Sequence, residues 1–458
     1  MKRLIKLLPK PLRQLVGAGF GGDGEDARSR RGAGLAFGIR VVSAAIAFLS
    51  QVLLARWLGS YEFGIYTYVW VWVNIVGTLC TLGFAISAVR FLPDYAGNNQ
   101  NELARGFLLF GNAVSIGTGL VCTAAGLMLL FLFDGVIAEY YWLPMALGLV
   151  ILPAFAGIDF QDGIGRAFGW IDLALVPPYI IRPILLFAFI GLAVGLGWGH
   201  SAETAVLAAI AANWLTLAGQ YLVQRRRLNR LIPPGPRAFR LPLWAKVSAP
   251  VLLLEGFTLA MINLDIVLLD IFVDPDQIAI YFAAARTISL IGFVHFSVNA
   301  ACMARFSASY AKGDAGAIRT LFAASRNWTL IPSLAGAGVM LALGDPILWL
   351  FGAEFTAGYP LMFVLILGLL ARAAVGPAQG LLVVTGHQNL TAGVMAVTVG
   401  CNAALNLLLI PQFGLMGAAM ATTTAFALES LSLHLAARRM LAAPQHLAPS
   451  AGSQAAAE

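Results

Sequence analysis

The sequence predicts an all-α integral membrane protein with about twelve transmembrane helices in two six-helix bundles, related by a pseudo-twofold axis along the membrane normal. The prediction depends on composition, on the spacing of apolar runs and on a repeat between the two halves. Hydrophobic residues make up 59% of the 458-residue chain and charged residues 11%. Because a soluble domain carries about 25% charged residues, this composition indicates a chain that lies mostly within a bilayer.

Long apolar runs recur along the whole chain. A helix crosses the ~30 Å hydrocarbon core of a bilayer in about 20 residues, and each run of that length predicts one membrane-spanning helix. The twelve predicted spans are 36–57, 64–89, 107–133, 143–168, 173–197, 203–224, 247–272, 278–304, 327–352, 358–384, 390–411 and 415–437.

The positions of the basic residues predict the orientation of these spans, because cytoplasmic loops of membrane proteins are enriched in Lys and Arg. All but five of the 29 Lys and Arg residues lie in the two tails or in alternate loops, at 90–106, 166–172, 225–246 and 305–326. The opposite loops, such as 133–141, carry acids and almost no basic residues. Both termini are therefore predicted to be cytoplasmic. This location also explains the +7 net charge without nucleic acid as a partner.

The predicted domain organisation follows from the same pattern. A basic cytoplasmic tail at 1–35 precedes the N-terminal six-helix bundle at 36–224, and a basic interbundle loop at 225–246 leads to the C-terminal bundle at 247–438. A disordered cytoplasmic tail is predicted at 439–458. The pieces outside the membrane are too short and too basic to hold a catalytic domain, so we predict that the protein is not an enzyme.

An internal repeat supports the division into two bundles. Residues 64–91 align without a gap on residues 279–306, at an offset of 215 residues, and the matches include the Arg-Phe pair at the end of each span. An offset of six helices preserves orientation in the membrane, as in transporters built from parallel repeats. The arrangement predicts a substrate site between the bundles near the midplane, with rocking of the bundles giving alternating access.

Four arginines remain within predicted spans, namely Arg40, Arg182, Arg286 and Arg372. Each costs about 2.5–3.5 kcal/mol near the centre of a membrane helix. Arg286 lies too deep to reach the surface easily and shares a helical face with Ser289, so that face should line protein or water. Two explanations stay open for such an arginine: an ion pair between helices, or a cation presented to an anionic ligand such as phosphate.

The other three arginines differ in their settings. Arg372 shares a face with Gln379, Arg182 lies between prolines that would break a helix, and Arg40 is close enough to the inner surface to snorkel. No group of cysteines has metal-ligand spacing, so no metal site or cofactor is expected.

Several acids also fall within predicted spans. Glu255 and Asp265 lie deep enough to be candidates for binding a proton or sodium ion. Asp159 and Asp162 share a helical face with Arg166, which favours a local salt bridge, although they too are candidates for ion coupling. The acids that could pair with intramembrane arginines are Asp159, Asp162, Glu255, Asp265 and Glu429.

Three segments of the chain resemble the bacterial polysaccharide transport family, which belongs to the multidrug, oligosaccharidyl-lipid and polysaccharide flippase superfamily. They are "LLARWLGSYEFGIYTYV" (53–69), "LWLFGAEFTAGYPLMFVLILGLL" (348–370) and "LLIPQFGLMGAAMATTTAFAL" (408–428). The resemblance covers residues 32–440 and implies a two-lobed helical fold that opens inward and outward.

The resemblance also implies a function: moving a polyprenyl-pyrophosphate-linked oligosaccharide from the inner to the outer leaflet of the bacterial cell membrane, for O-antigen, capsule or exopolysaccharide assembly. Related flippases carry lumenal cations that suit such a head group. Helical-face arguments then assign five candidate substrate-binding residues, which are Arg286, Arg40, Arg90, Arg372 and Ser289. Expected partners are the lipid-linked oligosaccharide, membrane lipids, and polysaccharide polymerase and assembly proteins; the expected energy source is a proton or sodium gradient or the membrane potential.

Three other functions are alternatives to this one. A cation-coupled exporter of small molecules or drugs would share the fold and would use the acids to bind ions. A membrane glycosyltransferase or polymerase would need a sizeable external loop, and every predicted external loop is short. A scaffold for a polysaccharide assembly complex stays open as an alternative, although intramembrane charges are costly for such a role.

Overall fold

The computed structural model describes residues 25–442 except 134 and 136, with side chains from residue 42 onward except at 296, 300 and 304. All regular secondary structure in these residues is helical, which confirms the predicted all-α class. Of the predicted tails at 1–35 and 439–458, residues 1–24 and 443–458 lie outside the described residues. The first helix begins at Glu25, before the predicted start of the first bundle at 36.

The N-terminal bundle consists of eight α-helices and one π-helical turn. Their bounds are α1 Glu25–Leu79, α2 Phe84–Gly97, α3 Asn101–Leu132, α4 Glu139–Leu149, α5 Leu152–Ala167, α6 Ile171–Val176, the π turn Pro177–Ile181, α7 Arg182–Gly195 and α8 Ala202–Leu231.

The C-terminal bundle repeats this pattern of long and interrupted helices. Its elements are α9 Leu241–Leu269, α10 Pro275–Ser289, α11 Gly292–Ala311, α12 Ala315–Ala342, α13 Gly344–Trp349, a 3₁₀ turn Ala353–Gly358, α14 Tyr359–Val375, α15 Ala378–Val384, α16 Gln388–Phe413 and α17 Leu415–Ala442.

The described helices are consistent with the predicted twelve spans. Seven helical segments are long and apolar enough to cross a bilayer, and two bent helix pairs raise the number to nine. The longest segment, Val42–Gly97, contains two passes joined at Gly59, whose φ of 78° lies in the left-handed region that favours glycine. Helices α12 and α17 complete the twelve, since both have the length of a span although their sequences are more polar.

The second pass of each bundle is interrupted near its middle. In the N-terminal bundle the break lies between α1 and α2, and in the C-terminal bundle it lies between α10 and α11. Gly83 stands at the first break with a φ of 77°, a conformation that other residues rarely adopt. These two passes contain the segments related by the sequence repeat, so the halves share an interrupted helix as well as sequence matches.

The predicted span 327–352 differs from the structure at its C-terminal end. Helix α12 ends at Ala342, and the short helix α13 and a 3₁₀ turn follow before α14 begins. The sequence Gly-Asp-Pro at 344–346 explains the difference, because proline cannot donate the hydrogen bond that would continue a helix.

The interbundle loop is shorter than predicted and is held against the N-terminal bundle. Helix α8 continues to Leu231 and α9 begins at Leu241. The Arg105 guanidinium donates hydrogen bonds to the carbonyl oxygens of Pro233 (2.6 Å) and Pro236 (2.7 Å). These bonds occupy carbonyls of a proline-rich stretch that has no helical partners.

The two bundles pack closely at the end that the charge pattern predicts to be external. Phe63 of α1 lies edge-on to Phe282 and to Phe355, with ring centroids 6.0 and 6.1 Å apart. Nearby, α1 approaches the start of α10 so closely that a Cβ added at Gly64 would overlap the carbonyl oxygen of Pro275. A glycine at this position is therefore required for the contact between the bundles.

We expect Gly64→Ala to lower the thermal unfolding temperature of the detergent-solubilised protein, because overpacking a close contact costs about 1–3 kcal/mol. Gly117→Ala is the matched control: that glycine lies in α3 with open space around its Cβ position, so alanine should raise helix stability by about 0.5–1 kcal/mol. Equal unfolding temperatures for Gly64→Ala and the unmodified protein, measured by fluorescence, would contradict the proposed contact.

Candidate functional site

A cavity of about 330 Å³ lies between the two bundles. Helices α1, α7 and α8 and the π turn form one wall, and α10 with the start of α11 forms the other. Aromatic rings and amide or hydroxyl groups make up most of the lining. The aromatic residues are Phe48, Tyr66, Trp70, Tyr179, Phe282 and Phe293, and the polar uncharged residues are Ser50, Gln51, Asn74, Asn213 and Ser289.

Two arginines give the cavity its charge. Arg182 comes from the N-terminal bundle and Arg286 from the C-terminal bundle, and no carboxylate stands among the described residues that line the cavity. Neither guanidinium has a described carboxylate within 4 Å. The site is therefore a cationic cavity with aromatic walls, in which the two bundles each contribute one positive charge.

Arg286 lies in the last turn of α10, just before the interruption of that span. Its guanidinium carbon is 4.8 Å from the centre of the Phe282 ring, so a cation–π contact partly replaces the lost hydration. Asp265 is in electrostatic range of Arg286. That carboxylate already accepts hydrogen bonds from the Tyr281 hydroxyl (2.6 Å), the Thr422 hydroxyl (3.2 Å) and its neighbouring backbone N–H, so Arg286 keeps its donors for a ligand.

Arg182 begins α7, directly after the π turn. The prolines at 177 and 178 lack backbone N–H groups, and the chain adopts wider helical hydrogen bonding there rather than a full break. The guanidinium carbon of Arg182 lies over the adjacent rings of Trp70 and Phe155, 5.3 and 5.4 Å from their centres. The sequence singled out Arg182 as an intramembrane charge but did not include it among the candidate binding residues.

The structure distributes the five candidate binding residues over different places. Arg286 and Ser289 both line the cavity, and the Ser289 hydroxyl donates to the Arg286 carbonyl oxygen at 2.7 Å. Arg90 is exposed beside the Phe91 ring and does not line the cavity. The side chain of Arg40 lies outside the described residues.

Arg372 forms the interhelical ion pair that was one explanation for its position. Its Nε lies 3.8 Å from the Glu429 carboxylate, and its guanidinium lies over the Phe426 ring. A small polar pocket beside this pair also contains His295 and Gln379. Arg372 does not line the central cavity, because its charge is directed into the C-terminal bundle.

The candidate ion-coupling acids fall into two groups. Asp265 is buried and accepts three hydrogen bonds within the C-terminal bundle, as described above. On the opposite side of the interface, Asp162 pairs with Arg166 at 2.7 Å, and Asp159 lies in electrostatic range of both Arg182 and Arg166. Glu255 of α9 is in electrostatic range of Asp159, and one of its carboxylate oxygens is buried without a hydrogen-bond partner among the described residues.

No three His, Cys, Asp or Glu residues in the described part of the chain are grouped so that they could hold a metal ion.

A polar contact joins the bundles at the predicted external end. The Arg56 guanidinium, on the N-terminal bundle, donates to the carbonyl oxygens of Trp349 (2.6 Å) and Leu350 (2.7 Å) and lies over the Trp349 ring. These carbonyls end the short helix α13, where the helix dipole favours a cation. Below this contact, the Phe48 and Phe351 rings meet edge to face across the bundles. The contacts close this end of the interface.

The fold and the cavity together define a multi-pass membrane protein with two helical bundles around a central site. The chain belongs to the family described as polysaccharide biosynthesis protein, whose model matches residues 29–308. This membership agrees with the family resemblance read from the sequence.

Relatives and solved structures extend the comparison. An uncharacterized membrane protein of Methanocaldococcus jannaschii is 22% identical over 405 residues, which is 83% of this chain and 78% of the relative. The inward-facing structure of a multidrug resistance MATE family transporter is similar with a TM-score of 0.73 and 14% identity, over 88% of this chain and 95% of that one. The inward closed structure of the lipid II flippase MurJ is similar with a TM-score of 0.68 and 15% identity, over 88% of this chain and 87% of that one. At these identities the solved structures establish the shared fold.

We expect Arg56→Ala to open the predicted external end of the cavity. In a chain with its four native cysteines replaced, a cysteine placed at Ser289 should react faster with a membrane-impermeant thiol reagent added outside. The rate should rise roughly tenfold if the two hydrogen bonds together contribute about 1.4 kcal/mol.

Arg226→Ala is the control. Arg226 is an exposed arginine near the predicted cytoplasmic end of α8, so its removal should leave the reaction rate unchanged. An unchanged rate in Arg56→Ala would show that this contact does not close the cavity.

Proposed function

We propose that this protein is a flippase that moves a polyprenyl-pyrophosphate-linked oligosaccharide from the inner to the outer leaflet for surface polysaccharide assembly. The observation that carries the proposal is the pair Arg182 and Arg286, which face one cavity from different bundles and have no ion-paired carboxylate among the described residues. Membership of the polysaccharide biosynthesis family supports the same class of substrate. The protein would act in the bacterial inner membrane, with both termini cytoplasmic.

The physical requirement for such a protein is to bring a pyrophosphate through a medium of low dielectric constant. Burying an unpaired phosphate charge costs many kcal/mol, and the cost falls only when fixed donors replace the water of hydration. Arg182 and Arg286 offer planar guanidinium groups that bind phosphate oxygens in a bidentate manner. The cavity volume of about 330 Å³ suits the pyrophosphate and its adjoining sugar, while the polyprenyl chain would remain in the lipid.

The division of the two cations between the bundles suggests how transport would proceed. A pyrophosphate held by both arginines would draw the bundles together, because each phosphate group neutralises the charge contributed by one wall. Rocking of the bundles would then expose the same cavity to the other side. The Arg56 contact with Trp349 and Leu350 would break in that step.

Energy coupling would involve the acids near the inner end of the interface. Glu255 and Asp159 stand on different bundles in electrostatic range of each other, so a bound proton or sodium ion would reduce their repulsion when the bundles approach. No cofactor is proposed. Membrane lipids, a polymerase and other assembly proteins are the proposed partners.

A cation-coupled exporter of small molecules is the second candidate. The aromatic lining of the cavity is compatible with an apolar drug. However, two unpaired arginines would repel the cationic compounds that such a cavity would otherwise favour, and an uncharged drug would leave both arginines desolvated.

We expect Arg182→Gln and Arg286→Gln each to reduce flipping at least about tenfold, because each removes a charge-assisted pair worth about 1.5–3 kcal/mol. The flipping rate of Arg286→Lys should lie between those of Arg286→Gln and the unmodified protein, since lysine keeps the charge but loses the bidentate fork. Arg230→Gln, at an exposed arginine near the end of α8, is the control. Transport in reconstituted vesicles, at matched protein abundance, is the measurement; normal transport by Arg286→Gln would overturn the proposed role.

Deletion of the gene should cause one polyprenyl-pyrophosphate oligosaccharide to accumulate on the cytoplasmic face, because its charged head group cannot cross the bilayer unaided. Mass spectrometry of lipid-linked glycans from cells with and without the gene would identify that substrate. Unchanged lipid-linked and surface glycans, together with increased drug sensitivity, would favour the exporter.

A further inference from the structure

A second cationic site lies on the C-terminal bundle, away from the central cavity. It is an open groove of about 650 Å³ between α12 and α17, near the end of the last helix. Four side chains that carry or can carry positive charge line it over an apolar floor that includes Phe322. These side chains are Arg319, Arg326, His434 and Arg438.

Helical spacing brings these residues together. Arg319 and Arg326 are seven residues apart on α12, with Phe322 between them on the same face. His434 and Arg438 are four residues apart on α17 and therefore also share a face. The Phe322 and His434 rings stack with centroids 5.9 Å apart, so the two basic faces lie opposite each other across the groove.

The groove has positive charge without a described counterion. No carboxylate stands among its described lining residues, and neither Arg326 nor Arg438 has a described carboxylate within 4 Å. Arg319 donates from Nε and one terminal nitrogen to the carbonyl oxygen of Leu441, which fixes its guanidinium at the rim. The Nδ1 atom of His434 is buried without a hydrogen-bond partner among the described residues. An anion in the groove would reduce the repulsion among the guanidinium groups and could reach this ring nitrogen.

The surfaces beside the groove indicate where that anion comes from. On α17, Leu431 and Leu435 flank His434 and are exposed. The charge pattern predicts this end of α17 to be cytoplasmic. An anionic lipid of the inner leaflet would therefore place its phosphate in the groove and its acyl chains against these leucines.

We propose that this groove binds the phosphate of an anionic membrane phospholipid, with Arg326 and Arg438 as the principal ligands. Arginine pairs well with phosphate, and basic pockets between membrane helices are suited to anionic head groups. The bound lipid would bridge α12 and α17 and stabilise the C-terminal bundle. The site shares no residue with the central cavity, so the inference does not depend on the proposed transport function.

Native mass spectrometry of the delipidated full-length protein, titrated with phosphatidylglycerol, tests the proposal. The double variant Arg326→Gln/Arg438→Gln should bind the lipid about tenfold or more weakly, because each surface-level arginine contributes about 1 kcal/mol. Arg439→Gln is the matched control, since Arg439 is the adjacent exposed residue on α17 and does not line the groove. It should bind like the unmodified protein.

Several outcomes would overturn the assignment. Unchanged binding by the double variant, or an equal loss in Arg439→Gln, would indicate a general attraction between surface charge and lipid. Displacement of the lipid by glycerol phosphate at equal concentration would assign the groove to a soluble phosphate compound. If phosphatidylcholine bound as tightly as phosphatidylglycerol, the groove would not require a lipid with net negative charge. Arg438→Glu provides a second variant, and the unfolding temperature without lipid checks that each variant is folded.

Discussion

The cost of placing a guanidinium group within a bilayer is the constraint on which the rest of this structure depends. Arg182 and Arg286 contact aromatic rings, Trp70 and Phe155 for the first and Phe282 for the second. Neither forms an ion pair with a described carboxylate. A ring face offsets part of the lost hydration without neutralising the charge. The cavity therefore keeps a positive potential that an ion pair would remove. Arg372, paired with Glu429, shows the alternative within the same chain.

Interrupted helices position these two charges. Arg286 lies in the last turn before the break between α10 and α11, and Arg182 follows the π turn of a proline-rich segment. Irregular backbone is tolerated at membrane depth where it is buried in protein or lines a cavity. Close helix contacts, such as that between Gly64 and Pro275, hold the two bundles together at one end. The same architecture thus supplies a polar centre and a closed end.

Composition and the length of the apolar runs predicted the all-α class and the number of spans, because a bilayer sets the length of any helix that crosses it. Helical spacing alone placed Arg286 and Ser289 on one face. It could not place Arg182 opposite Arg286, since the approach of two helices distant in sequence depends on packing. For Arg372 the sequence left two explanations open, an ion pair between helices or a ligand-binding cation. The position of Glu429 in the structure identifies the ion pair. The sequence also misplaced some helix ends near proline and glycine: α12 ends at Ala342, before the Gly-Asp-Pro segment, whereas the predicted span continued to 352.

The central claim is that the cavity recognises a pyrophosphate through one arginine from each bundle. The most direct test is native mass spectrometry of the purified protein with polyprenyl pyrophosphate, polyprenyl monophosphate and the uncharged polyprenol, repeated with Arg182→Gln/Arg286→Gln. The account predicts that the unmodified protein binds the pyrophosphate most tightly and that the double variant binds all three lipids alike. Equal affinity of the unmodified protein for the pyrophosphate and the polyprenol would contradict it.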